Sequence, residues 1–214
     1  MRELLNIDIV AVDCVKPEMA VKALVHSSKD IKFGSIKLLA HYRPDNLPEY
    51  IEYYQIEKQT HDSMSWFHTN ALPKYINNDY VLSIHSDGFI INPQKWLDEF
   101  LNYDYIGAPW PIGLDWCKRN RVGNGGFVLK SKKFLNLEES LSYSIDHNDV
   151  YVTNTMYDFF TYAGCKYAPV EVACKFSLEM RVPECEFNLT EIFGYHGKCY
   201  PETQELQNIL NQYE

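Results

Sequence analysis

Residues Asn6 to Val12 (NIDIVAV) form a nearly continuous apolar run rich in β-branched side chains, the pattern of a strand buried on both faces. Pro17 then opens a stretch to about Ser28 in which Met19, Val21, Ala23 and Leu24 supply an apolar stripe. A proline in the first turn is preset for a helix. Ile31 to Leu39 returns to strand, and the turn-forming His41-Tyr42-Arg43-Pro44-Asp45-Asn46 follows. The pattern predicts another strand at Tyr50–Ile56 and a helix over 62–76 interrupted at Pro73. Asp79 to His85 reads as a strand that stops at Ser86-Asp87-Gly88 and resumes as Phe89-Ile90-Ile91. Asn92-Pro93 starts a helix carrying Trp96, Phe100 and Leu101, whereas Tyr105 to Pro111 is too rich in Pro and Gly for regular structure. Phe127-Val128-Leu129 is a strand, 131–144 and 149–163 are helices, Lys166–Ala168 is a short strand, and a helical tail runs from about Glu202.

Strands alternating with helices from a parallel-type βαβ start imply one α/β domain over 1–214, an open, mostly parallel central sheet flanked by helices. Ligands on such sheets bind beyond the carboxyl ends of the strands, where His85-Ser86-Asp87 lies.

Composition narrows the partners. The net charge is −9 and no run of Lys and Arg exceeds two, which argues against tracking a nucleic-acid backbone. An acidic protein still binds a diphosphate when a divalent cation mediates. No stretch approaches the roughly 20 apolar residues of a membrane span, and the apolar run in residues 1–12 is too short for a signal peptide. Six cysteines (14, 117, 165, 174, 185 and 199) include no Cys-x-x-Cys pair, so a zinc staple is not expected. The thiols read as free and the protein as cytoplasmic, where the Asn188-Leu189-Thr190 glycosylation match carries no meaning. The 16 tyrosines suit half-wet surface, sugar-binding clefts included.

Four segments can carry chemistry. Asp87, on a turn at the end of an apolar strand, is a hard oxygen ligand for Mn²⁺ or Mg²⁺, and His85 adds a nitrogen that Mn²⁺ accepts. Gly88 permits positive φ or a close approach. Taken alone, the same residues read as an Asp-Gly hairpin turn. His196, in Phe193-Gly194-Tyr195-His196-Gly197, is a distant ligand, a phosphate contact or a structural histidine. Gly123-Asn124-Gly125-Gly126 precedes a strand, so it opens space for a sugar and does not cradle phosphate as a loop entering a helix would. Asp149, after His147-Asn148, is either a helix N-cap or a cleft-facing general base.

In this order, His-Ser-Asp-Gly-Phe-Ile-Ile-Asn-Pro, Tyr-Asp-Tyr-Ile-Gly-Ala-Pro-Trp, Val-Gly-Asn-Gly-Gly-Phe-Val-Leu-Lys-Ser and Phe-Gly-Tyr-His-Gly resemble GT-A-type glycosyltransferases of the DUF5672-like group, over about residues 79–198. The resemblance implies a GT-A-like fold with a Rossmann-like nucleotide-binding half, Mn²⁺ or Mg²⁺, and a UDP-sugar donor. It further implies Asp87, His196 and His85 at the metal, His85 standing where the family's motif has a carboxylate. Val12, Asp13, Ser86, Asn124, Gly125, Gly126, Gly197 and Lys198 are implied at the donor, and Asp149 as base of an inverting transfer. Trp110 is expected on the acceptor side. The transferred hexose is glucose or a 6-deoxyhexose such as rhamnose, and the acceptor is a glycan. A non-catalytic carbohydrate-binding module and a nucleotidyltransferase are the competing readings.

Overall fold

The computed structural model describes residues 1–142, 147–185 and 189–197. Strand β1 (Arg2–Val12) starts ahead of the predicted Asn6, and Ile7 to Val12 are all buried. Alternate side chains of β1 enter two different cores. Ile7, Ile9 and Ala11 pack with Ala20, Leu24, Phe100, Phe176 and Phe193, whereas Val10 and Val12 pack with Phe67, Leu72 and Leu135. A strand covered on both faces is apolar at nearly every position, here all of Ile7–Val12 except the buried Asp8, which is why this run does not alternate. Helix α1 (Pro17–Ser28) has the predicted bounds and buries Ala20, Val21, Ala23 and Leu24. Met19, expected in the stripe, is exposed.

Strands β2 (Ile31–Ala40), β3 (Glu52–Gln55), β4 (Tyr80–Ile84), β6 (Tyr105–Ile106) and β7 (Phe127–Ser131) complete a six-stranded sheet ordered β3-β2-β1-β4-β7-β6. The β3-β2-β1-β4 half is parallel. Strand β7 runs antiparallel to both β4 and β6, so the sheet is mixed. A parallel neighbour needs a crossover; the chain instead makes an excursion over 107–126 and returns reversed. Tyr105 and Ile106, assigned to irregular chain, are thus a short strand. A second sheet, β5-β9-β8, is built from β5 (Gly88–Ile90), β8 (Ser177–Leu178) and β9 (Gly194–His196).

Several predicted helices are broken. The 62–76 segment is α2 (His61–Trp66), a π turn (Phe67–Ala71) and a 3₁₀ turn ending at Tyr75. The Asn92 segment is two 3₁₀ turns, with Trp96 buried between them. Helix α3 is Lys132–Glu139, and the 149–163 segment divides into α4 (Asn148–Val150), a π turn (Tyr151–Thr155) and α5 (Tyr157–Tyr162). Helix α6 (Val170–Phe176) was not anticipated, and around 166–168 Tyr167 makes only a lone bridge to Tyr105. The tail expected from Glu202 lies outside the described residues.

Contrary to the expectation of free thiols, Cys174 and Cys185 form a disulfide, while Cys14, Cys117 and Cys165 are free and buried. Folding brings together the end of α6 and the segment after β8, a proximity that spacing does not reveal. Cys199 lies outside the described residues, as do Asn188 and Lys198. Among the described residues no helix is long and apolar enough to cross a membrane.

Candidate functional site

Strand β4 ends at Ile84, and the chain turns through His85-Ser86-Asp87, the Gly88 N–H donating to the His85 carbonyl at 3.0 Å. The segment is not the hairpin its Asp-Gly suggested, because β5 leaves the main sheet and pairs with β9. That pairing sets Gly88 opposite His196. Backbone bonds stitch the pieces: His85 N–H donates to Gly126 O at 2.9 Å and Gly197 N–H to Asp87 O at 3.2 Å. The glycines are required by these approaches. A Cβ on Gly88 would lie 2.4 Å from the Gly126 carbonyl, and one on Gly126 would lie 2.0 Å from His196 Nε2. Gly88 therefore serves the close approach and not positive φ, which is found at Gly197 (φ +87°).

His85, Asp87 and His196 each offer a ligand atom, all within 4.8 Å of one another. Asp87 Oδ1 lies 3.4 Å from His196 Nε2, and Glu179 Oε1 lies 3.5 Å from His196 Nδ1. The His196 interaction holds the Asp87 carboxyl down to about 2 despite partial burial. Burial, reinforced by His196, pushes His85 down to about 4. Burial also opposes charge on His196, but Asp87 and Glu179 together outweigh it and raise this imidazole to about 9. At neutral pH Asp87 is an anion and His85 a neutral nitrogen donor, the forms in which both bind metal. Without a metal His196 holds a proton because two carboxylates flank it, and it offers a nitrogen to a cation only by releasing that proton. Two imidazoles and a carboxylate form a donor set able to hold a divalent metal ion.

Beside the cluster, Asn124 is buried and its Oδ1 accepts from Gly126 N–H at 3.1 Å. Gly125 N–H donates to Asp149 Oδ2 at 3.2 Å. Asp149 is not the N-cap: that position is His147, and Asp149 lies within the first turn of α4. Its Oδ1 accepts from Val150 N–H at 2.8 Å, and burial raises its carboxyl above the usual range against that bond. Val12 and Asp13 end β1, where Asp13 Oδ1 caps the turn by accepting from Val15 and Lys16 N–H groups, both at 2.7 Å. Asp13 acts electrostatically on His85, which ties this strand end to the cluster. Ser86 is partly exposed, whereas the Trp110 indole is buried against Gly123 and not an open platform.

Two residues escaped the sequence reading. Glu179 follows β8 and touches both His196 and, at 3.3 Å from Oε2, the Trp110 indole N–H. Its only signal was a carboxylate at a strand end, and the strand itself is two residues long. His68, on the first π turn, is buried with its ring 5.8 Å from that of His85 and its Nε2 unpartnered. The second π turn starts at Tyr151, two residues after Asp149, and such turns recur at functional sites.

A family model described as "Protein of unknown function (DUF5672)" matches residues 52–196. No curated protein matches the sequence. Among solved structures, a glycosyltransferase involved in the glycosylation of the major capsid of PBCV-1 is similar, with 14% identity and a TM-score of 0.54 over 96% of this chain and 98% of that one. The apo-form glycosyltransferase GlyE of Streptococcus pneumoniae TIGR4 aligns with 14% identity and a TM-score of 0.42, over 77% of this chain and 45% of that one.

Proposed function

The chain belongs to the DUF5672 family, and from that premise we propose that it is a metal-dependent glycosyltransferase. It moves a hexosyl residue, glucose or a 6-deoxyhexose, from a UDP-sugar to a glycan acceptor with inversion. The observation that carries this reading is the His85–Asp87–His196 cluster at the carboxyl end of β4, on a fold shared with a glycosyltransferase. Asp87, His196 and His85 hold Mn²⁺ or Mg²⁺. A cation there neutralises charge developing on the departing diphosphate, work that a chain of net charge −9 cannot assign to a basic patch.

Each neighbouring residue takes a place around that centre. Val12, Asp13 and Ser86 line the nucleoside and diphosphate side, and Gly197 completes it. Asn124, Gly125 and Gly126 lie beside the sugar, and the absence of a Cβ on Gly125, which would sit 3.0 Å from that of Asp149, lets Asp149 approach the same place. Asp149 takes the proton of the acceptor hydroxyl, and its raised affinity for protons suits a base.

Calorimetric titration of UDP, GDP and CMP with and without Mn²⁺ tests the reading. UDP is expected to bind tightly only with Mn²⁺, and Asp87→Asn to weaken that binding by roughly tenfold or more with the fold intact. Equal binding of all three nucleotides, indifferent to Mn²⁺, would exclude it.

A further inference from the structure

We propose that Glu179 is a positioning residue of the metal site, holding the His196 ring so that Nε2 faces Asp87 and the cation. The inference rests on the metal-site reading above and adds a residue that reading does not contain. Strands β8 and β9 pair in parallel with Ser177 opposite Gly194 and Leu178 opposite Tyr195. One further step in that register sets Glu179 beside His196. There Oε1 lies 3.5 Å from His196 Nδ1, a buried nitrogen with no hydrogen-bond partner of its own. The other oxygen accepts from the Trp110 indole N–H at 3.3 Å, and Glu179 Cγ lies 3.5 Å from the Cβ position of Gly197. With one oxygen facing each ring, Glu179 is placed to orient His196.

The segment bearing Glu179 is itself anchored. The Cys174–Cys185 disulfide closes it on α6, and Arg121 grips Glu184 with two bonds of 2.7 and 3.1 Å. A carboxylate behind a metal-bound imidazole sets its tautomer and angle, and losing such a partner typically costs about 10–100-fold in metal affinity.

The test is Mn²⁺ binding followed by electron paramagnetic resonance in the unmodified chain, Glu179→Gln, His196→Ala and the double variant. Glu179→Gln is expected to weaken Mn²⁺ by about 10–100-fold. Its imidazole-nitrogen coupling should fall to the level of His196→Ala, with the melting temperature nearly unchanged. Because Glu179 acts through His196, the double variant should bind no more weakly than His196→Ala. Full affinity in Glu179→Gln, or losses that add in the double variant, would overturn the inference. If the unmodified chain bound no Mn²⁺, the metal-site reading would fall and this inference with it.

Discussion

Two residues at the site differ in what their charge must do. Asp149 sits inside the first turn of α4, bonded to Gly125 and Val150 N–H groups, so its side chain is oriented toward the glycine segment and not spent on a cap. Asp149→Asn keeps the shape and removes the proton acceptor. Transfer activity should fall by roughly 10²–10⁴-fold while Mn²⁺-dependent UDP affinity stays near normal. Near-normal turnover in this variant would assign the base elsewhere. His196 answers to pH. Its folded value of about 9 lies above the ordinary 6.5, so its contribution to stability is full below pH 6.5 and disappears as pH rises through 9. The metal-free chain should therefore melt at lower temperature at pH 10 than at pH 7, and His196→Ala should flatten that difference. An unchanged slope in the variant would show that another group causes it.

At the scale of elements, the short strands β8 and β9 have too few backbone bonds to hold themselves. Packing around Leu178, Leu189, Ile192 and Tyr195 and the Cys174–Cys185 bridge make up the deficit. The bridged residues are separated by 11 positions, and a loop of that length implies about 2–3 kcal/mol of stabilisation by loss of unfolded-chain entropy. Replacing both cysteines by serine should lower the melting temperature by about 5–10 °C. Calorimetry on oxidised, reduced and doubly substituted protein checks it: reduced and substituted forms should melt together, below the oxidised form. Oxidised protein melting no higher than the other two would remove the bridge from the account. Helix α2 needs no such help at its start, where Thr60 and Ser63 form a reciprocal capping box.

For the whole molecule, the sheet is pinned at the end opposite the site by a buried charge. Asp8, on β1, accepts from Ser35, from Asn78 Nδ2 and from the Asn77 and Asn78 N–H groups, and pairs with Lys37 at 3.2 Å, both side chains fully buried. One carboxylate thus fastens β1, β2 and the entry to β4 together. Burial opposes its ionisation, but these bonds together win and lower its carboxyl below the usual value. Its contribution is therefore present above about pH 4 and lost as pH falls further. Asp8→Asn would leave the buried Lys37 without its carboxylate, held by the Tyr75 carbonyl alone. Urea unfolding should show a loss of about 3–5 kcal/mol at neutral pH. A loss within 1 kcal/mol, read against the few-tenths effect of a typical surface change, would show that this pair does not pin the sheet.

Local period alone determined the first third of the fold. NIDIVAV, the Pro17 start and the Ile31 run are legible because burial on both faces and helical spacing are written in neighbouring residues, and α1 has the predicted bounds. The order of motifs likewise marked His85, Asp87 and His196 as candidates, and the structure brings their ligand atoms together. What tertiary structure alone decided depends on contacts between residues far apart in the chain. Nothing near Phe127 says that β7 runs antiparallel, since its direction follows from where the 107–126 excursion returns. Asp87-Gly88 looks like a hairpin until β5 finds β9, more than a hundred residues later. Glu179 is an ordinary acidic residue in sequence. It becomes part of the site only because the β8–β9 register sets it beside His196, and pairing across an intervening loop leaves no periodic trace along the chain.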